Sequence, residues 1–269
     1  MNLANRVAVI SGAGGGIGRA IALALARRGC HLALADIDTN GLAHSATLVE
    51  ALGVHASQHH LDVASREQVW DLPAAVQALH GRVDLLVNNA GVALGGNFEE
   101  VSETDFDWLM EINFYGVVRM TRAFLPLLRL SDDACIVNLS SLFGLISPPG
   151  QAAYSASKFA VRGFSNALRH ELANSQIGVC VVHPGGVATS IARNARVPAG
   201  ASPEVVQAHK KQAEKLLRLS PDKAGEIIVR GMQAKRARIL VGTDAKLLAL
   251  LERIAPVHYW KFLKKGLQT

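Results

Sequence analysis

Tyr154 and Lys158 stand four residues apart in Tyr-Ser-Ala-Ser-Lys, at the start of a stretch with helical periodicity. Four residues is a little over one turn, so the two side chains share a helix face. A free phenol ionises near pH ~10, too high for base catalysis at neutrality, and a nearby ammonium group favours the phenolate. An ordinary amphipathic helix could carry the same pair, so its neighbours matter. Ser141, in Val-Asn-Leu-Ser-Ser, follows an apolar run, and its hydroxyl could donate a hydrogen bond to a developing alkoxide. Asn113, in Ile-Asn-Phe-Tyr-Gly, is polar within an otherwise apolar helical stretch. It could hold a water linking Lys158 to solvent, or it could be a helix-kinking or capping asparagine.

A second constellation lies near the N-terminus. Ser11-Gly-Ala-Gly-Gly-Gly-Ile-Gly18 follows a strand-like run and opens a helix-like one. Gly12, Gly16 and Gly18 permit a tight turn and a close backbone approach to a pyrophosphate. The helix that begins around Ile17 offers free N–H donors and a partial positive charge. Asp36 ends the next apolar run, where a carboxylate accepts from both hydroxyls of an adenosine ribose and repels a 2′-phosphate. Ile37 follows it, where an arginine would be needed to grip that phosphate, and Ala13-Gly14-Gly15 carries no cation. These positions predict NAD in preference to NADP. Arg19 is the one cation near the turn, expected to point to solvent or to the pyrophosphate.

Taken together, the motifs resemble those of the short-chain dehydrogenase/reductase family. They stand as Gly12-x3-Gly16-x-Gly18, Asn88-Asn89-Ala90-Gly91, Asn113, Ser141, Tyr154-x3-Lys158 and Pro184-Gly185, spanning residues 6–190, with a last strand extending the match to about 242. The one departure is Ser11, where the family usually has threonine; the hydroxyl is kept. The resemblance implies that Tyr154 is the acid/base, helped by Lys158 and by an oxidised nicotinamide. Lys158 would also hold the nicotinamide ribose, Ser141 would orient the substrate oxygen, and Asn113 would anchor a proton-relay water. It further implies Asp62 and Val63 beside the adenine, Asn89 beside the adjoining ribose with Gly91 in the same motif, and Val187 and Thr189 at the carboxamide, after Pro184 and Gly185. Family members are usually dimers or tetramers, so a homodimer or homotetramer is expected.

The elements needed to position these residues are legible as alternating periodicities. The expected strands are Arg6–Ile10, His31–Ala35, Val54–Leu61, Val83–Asn88, Ala134–Leu139, Gly178–His183 and Arg238–Val241, mostly continuous apolar runs suited to a sheet covered on both faces. Helical stretches lie near Ile17–Arg28, Thr39–Leu52, Arg66–His80, Thr104–Leu128, Tyr154–Ala173 and Ala224–Gln233. This order predicts an α/β fold: one Rossmann-like, doubly wound sheet of seven mainly parallel strands with helices on both faces, and chemistry beyond the strand C-termini. Residues 1–243 form the expected dinucleotide-binding and catalytic domain. The irregular Pro184–Pro203 suggests a lid over about 187–219, and 244–269 a helical tail.

Composition excludes other classes. Charged residues are 19% and apolar residues 49% of 269, too apolar for disorder. The net charge of +6 is scattered, with local excess only at Lys210–Lys211, Lys235–Arg238 and Lys261–Lys265, so a nucleic-acid partner is not expected. Cys30, Cys135 and Cys180 are odd in number and far apart, implying neither disulfides nor zinc. Buried thiols, no spanning apolar run and no signal-like N-terminus predict a cytoplasmic protein. His55, His59, His60 and Asp62 look like metal ligands, but strand alternation would split His59 from His60, and no metal is expected. His183 reads as a packed or hydrogen-bonded residue. In the tail, Lys246–Ile254 is amphipathic and Pro256–Lys265 mixes aromatics with lysines; packing on its own or a neighbouring subunit is favoured over membrane contact. The expected substrate is a small-molecule secondary alcohol or ketone. Leu142, Phe143, Leu145, Ile146 and Val92–Leu94 suggest an apolar pocket. A non-catalytic dinucleotide sensor on the same fold is the alternative; the four intact residues argue against it.

Overall fold

Val7–Ser11 (β1) is buried along its whole length, as its unbroken apolar pattern requires. In the computed structural model, which describes residues 1–267, it pairs in parallel with His31–Asp36 (β2) on one side and Leu85–Asn88 (β4) on the other. Gln268 and Thr269 at the end of the expected tail, and the side chains of Lys210 and Lys265, lie outside what is described. With Ala56–His60 (β3), Ala134–Leu139 (β5), Ile177–Pro184 (β6) and Arg238–Val241 (β7), the strands form one parallel sheet in the order β3-β2-β1-β4-β5-β6-β7. The order reverses between β1 and β4. A crevice therefore opens above their C-terminal ends, the place where doubly wound sheets bind ligands.

Alternate strand residues feed two cores. Ala8, Ile10, Leu32, Leu34, Val137 and Val182 pack towards Gly16–Ala26 (α1), Thr39–Glu50 (α2) and Pro221–Gln233 (α8). Val9, Ala33, Ala35, Leu86 and Ile136 pack towards Arg66–His80 (α3), Gly116–Leu128 (α5) and Ala152–Glu171 (α6). The period of two along each strand delivers one set to each face.

Three features depart from the periodicity reading. The expected helix Thr104–Leu128 is Glu103–Met110 (α4), a π-helical turn at Glu111–Tyr115, and α5. A π-turn inserts one extra residue into the helix and often marks a functional position; here it contains Asn113. The irregular stretch ends in a helix that was not anticipated, Pro203–Leu216 (α7). The tail is two helices, Thr243–Ile254 (α9) and Tyr259–Leu267 (α10), broken at Pro256.

Candidate active site

The glycine turn is held in shape by contacts that only glycine allows. A Cβ on Gly18 would lie 2.0 Å from the Gly12 oxygen, and one on Gly12, whose φ is +70°, would lie 2.7 Å from Asn89 Nδ2. Gly15 precedes helix α1, which has no side-chain cap and no acid in its first turn. A Cβ on Gly15 would meet nothing within 4 Å. No side chain caps the first amides of α1, and a helix leaves its first amides without a partner within the helix, as an anion site requires. Ile17 is half-buried against the α1–α2 core.

The walls of this crevice are tied to one another. Ser11 Oγ accepts from the amides of Asn89 and Ala90 (3.1 and 3.2 Å), and Asn89 Nδ2 donates to the oxygens of Ser11 and Gly12 (3.1 and 2.9 Å). The Asn89 side chain therefore holds the turn itself. Asp36 accepts from the Gly14 amide at 2.7 Å and the Asp38 amide at 2.9 Å, while Ile37 is exposed. Arg19 points neither to solvent nor into the crevice. It donates to Ser45 Oγ at 2.8 Å and to the oxygens of Gly14 and Gly41, clamping the turn to α2. Asp62 forms a turn at the head of α3, its carboxylate accepting from the Ala64 amide at 2.8 Å. Val63 is buried close to Gly116 of α5. Across the crevice, Thr189 approaches Gly16: a Cβ there would sit 3.2 Å from Thr189 Cγ2.

Pro184 ends β6, and the turn after it is secured by a residue the sequence reading missed. Asp244, at the start of α9, accepts from the Gly186 amide at 2.6 Å, and a Cβ on Gly185 would lie 2.2 Å from the same carboxylate. Val187 pairs with Leu219, joining the two ends of the anticipated lid segment. Farther along that segment, Arg196 bridges to Leu94, pairs with Asp105 at 3.0 Å and stacks 3.5 Å over the Trp108 ring.

Tyr154 and Lys158 lie on α6, facing Ser141 at the end of β5. The Tyr154 hydroxyl interacts with the Ser141 hydroxyl, and the Phe143 ring meets the Tyr154 ring edge-on at 6.1 Å. Lys158 is buried. Its ammonium lies 5.7 Å from the Tyr154 ring centre and donates to the Leu139 oxygen at 3.1 Å. Burial pushes Lys158 down to about 8. Burial also pushes the Tyr154 phenol above its ordinary value, and the hydrogen bond with Ser141 only partly offsets this. In the chain without dinucleotide the phenol therefore stays above its ordinary value, because burial outweighs the Ser141 hydrogen bond.

Asn113 is fully buried, and its side chain is committed: Oδ1 accepts from the Val92 amide at 2.8 Å, and Nδ2 donates to the Val92 oxygen at 3.0 Å and to Ser157 Oγ at 3.2 Å. Ser157, a second residue the motif reading passed over, donates in turn to the main-chain oxygen of Tyr154 at 2.8 Å. Its signal was its place inside Tyr-x3-Lys, on the inner side of α6. Gly91 is where these groups meet: a Cβ there would lie 3.1 Å from Asn113 Oδ1 and 3.4 Å from Lys158 Nζ.

The apolar surroundings are narrower than expected. Val92, Leu94, Phe106 and Trp108 cluster with Tyr154. Leu142, Leu145 and Ile146 instead pack beneath the tail, against Leu248, Ala249, Tyr259 and Leu263.

A doubly wound parallel sheet, an uncapped glycine turn at its switch point and a Ser–Tyr–Lys group beside it define a dinucleotide-linked oxidoreductase of the Rossmann type. The chain belongs to the short chain dehydrogenase family, whose model matches residues 6–199. It is 46% identical over 264 residues to SadH of Mycobacterium tuberculosis, a protein named as an oxidoreductase; the match covers 97% of this chain and 95% of SadH. A short-chain dehydrogenase/reductase of Burkholderia phymatum, solved in complex with NAD, superposes with a TM-score of 0.87 at 32% identity, covering 95% of each chain. An alcohol dehydrogenase of Thermococcus sibiricus, complexed with 5-hydroxy-NADP, superposes with a TM-score of 0.74 at 32% identity, covering 88% of this chain and 94% of that one.

Proposed function

We propose that the protein is an NAD(H)-dependent dehydrogenase or reductase acting on a secondary alcohol or the matching ketone. The observation that carries this reading is the buried Lys158 ammonium 5.7 Å from the Tyr154 ring centre, tied to the Leu139 oxygen at the end of β5 just before Ser141. The residues around the crevice fit a dinucleotide: free amides at the start of α1 for the pyrophosphate, Asp36 for the ribose diol, and Thr189 opposite Gly16. The bound dinucleotide supplies the hydride acceptor or donor.

The chain's own residues do the rest. Ser141 donates to the substrate oxygen and holds it at the Tyr154 hydroxyl. Tyr154 takes the alcohol proton in oxidation and returns it in reduction. Lys158 opposes the charge of the phenolate, and the Leu139 oxygen keeps it in place. Asn113 orders the loop after β4 at Val92 and, through Ser157, the first turn of α6. With its side chain so committed, Asn113 would hold any relay water through its main chain. Val92, Leu94 and Phe143 offer few hydrogen bonds, which supports an apolar substrate over a sugar or hydroxy acid.

The test is a panel of secondary alcohols and ketones of graded polarity, assayed with both dinucleotides by the absorbance of the reduced nicotinamide. Turnover of apolar members with NAD(H) is expected. Failure of every alcohol and ketone, with dinucleotide binding intact, would reject it.

A further inference from the structure

Helices α9 and α10 have two unlike sides. On the inner side Ala245 is buried, and Leu248, Ala249, Tyr259 and Leu263 pack against Leu142, Leu145 and Ile146, with the Tyr259 hydroxyl accepting from the Ser147 amide at 2.8 Å. This fixes the tail on its own subunit. Among the described residues, nothing covers the outer side. Leu247, Leu250, Ile254, Val257 and Phe262 are 55–80% exposed. At about 100° per residue, Leu247, Leu250 and Ile254 fall within about 60° of arc, opposite the packed side. Five large exposed apolar side chains in sixteen consecutive residues (247–262) are not a scatter of single surface residues.

Charge decides what covers them. Lys246, Arg253, Lys261 and Lys264 are exposed along the same two helices, while Glu252 is the one acid from 245 to 264 and is half-buried. A second copy docked through this face would meet itself, because a two-fold contact is self-complementary. That would set four cations against the same four cations. An anionic surface complements them. Apolar residues with basic neighbours on a short helix are the pattern of a helix lying in a lipid interface. Neither helix spans: at 1.5 Å per residue they measure about 18 and about 14 Å, against about 30 Å of hydrocarbon. Among the described residues no helix is long and apolar enough to cross a membrane.

We propose that the outer face of α9 and α10 docks on the surface of an anionic phospholipid bilayer. The inner side of the same helices covers Leu142–Ile146, next in the chain to Ser141, so docking holds the candidate active site near a phase in which apolar alcohols dissolve. The docking itself does not depend on the proposed reaction.

The test uses the full chain and vesicles. Co-sedimentation with phosphatidylglycerol–phosphatidylcholine vesicles is expected, with weak or no binding to phosphatidylcholine alone and release as salt is raised. Lys261→Gln with Lys264→Gln should lower the partition coefficient about fivefold per cation, about 25-fold together. Leu250→Glu with Ile254→Glu should abolish binding while the thermal unfolding curve stays in place, since both side chains are exposed. Absence of binding to anionic vesicles, or equal binding to neutral ones untouched by these variants, would overturn the proposal. So would a fall in sedimenting mass in Leu250→Glu/Ile254→Glu without vesicle binding by the native chain, which would assign the face to a second copy.

Discussion

His183 Nδ1 lies 2.9 Å from the main-chain oxygen of Ser141. A carbonyl only accepts, so the ring donates from Nδ1 and leaves Nε2 as a bare acceptor, buried without a partner among the described residues. The last residues of β6 thereby steady the end of β5, where Ser141 meets Tyr154. Burial pushes His183 down to about 4.

A stability profile follows from that relationship. An unfolded histidine titrates near ~6.5, so between pH ~6.5 and pH ~4 the unfolded chain binds a proton that the folded chain refuses. Stability is then full above this window and falls as pH drops through it, by up to about 3 kcal/mol for this one group. His80, pushed down to about 4 by burial with His55, His59 and His31 adding repulsion, acts in the same sense. Thermal unfolding from pH 7 to pH 4 should show a falling Tm, and His183→Asn, whose amide can keep the donor to Ser141, should flatten the slope. His183→Leu should lower kcat more than His183→Asn, because it leaves the Ser141 oxygen with the Gly144 amide as its one remaining donor among the described residues. A native Tm that does not change across the window would contradict a neutral buried His183.

Tyr154→Phe should retain dinucleotide affinity and lose about 10²–10⁴-fold in kcat, the usual share of general acid–base catalysis. Lys158→Ala should harm both affinity and turnover. Burial raises Tyr154 in the bare chain, so in ultraviolet titration without dinucleotide Tyr154 should not ionise early. Oxidised dinucleotide should bring it down, and that signal should vanish in Tyr154→Phe. A Tyr154→Phe enzyme with near-native chemistry-limited kcat would refute its assignment.

Asp244 holds the Gly185–Gly186 turn from 58 residues away. Asp244→Ala removes a carboxylate acceptor and should cost about 1–3 kcal/mol of stability. It should also raise KM for the dinucleotide more than it lowers kcat, since the turn borders the crevice and not the reacting hydroxyls. An unchanged KM would show that the turn holds its shape unaided.

Dinucleotide preference should follow Asp36. Setting a 2′-phosphate against its carboxylate would cost about 2–4 kcal/mol, or about 30–1,000-fold in kcat/KM in favour of NAD(H). Asp36→Ala with Ile37→Arg should shift preference towards NADP(H). It should also lower Tm, because the Gly14 and Asp38 amides lose their acceptor. A native ratio near one would reject the assignment.

Arg196 ties the segment after β6 to Asp105 and Trp108. In Arg196→Ala, hydrogen exchange should speed up across residues 189–202 and leave β1 and β4 unchanged. Dinucleotide plus substrate should slow it again if the segment closes as a lid. Equal exchange in all three states would exclude both the tether and the lid.

The sequence by itself determined what is written in short-range patterns. Seven apolar runs separated by helical periods specify a parallel doubly wound sheet, since each pattern matches one local geometry. Gly12, Gly16 and Gly18 are legible for the same reason, because a turn that tight excludes side chains, and Tyr154 and Lys158 because four residues bring them onto one face. The tertiary structure decided what depends on partners distant in the chain. The π-turn at Asn113 is stabilised by Val92 and Ser157, 21 and 44 residues away, and leaves no periodic trace. Arg19 turns to α2 because Ser45 and Gly41 wait there, and Asp244 reaches Gly186 because β7 lies beside β6. The Tyr154 pKa moved against the spacing argument because spacing carries charge but not burial. Burial, and hydrogen bonds between distant positions, exist only once the sheet has brought those positions together.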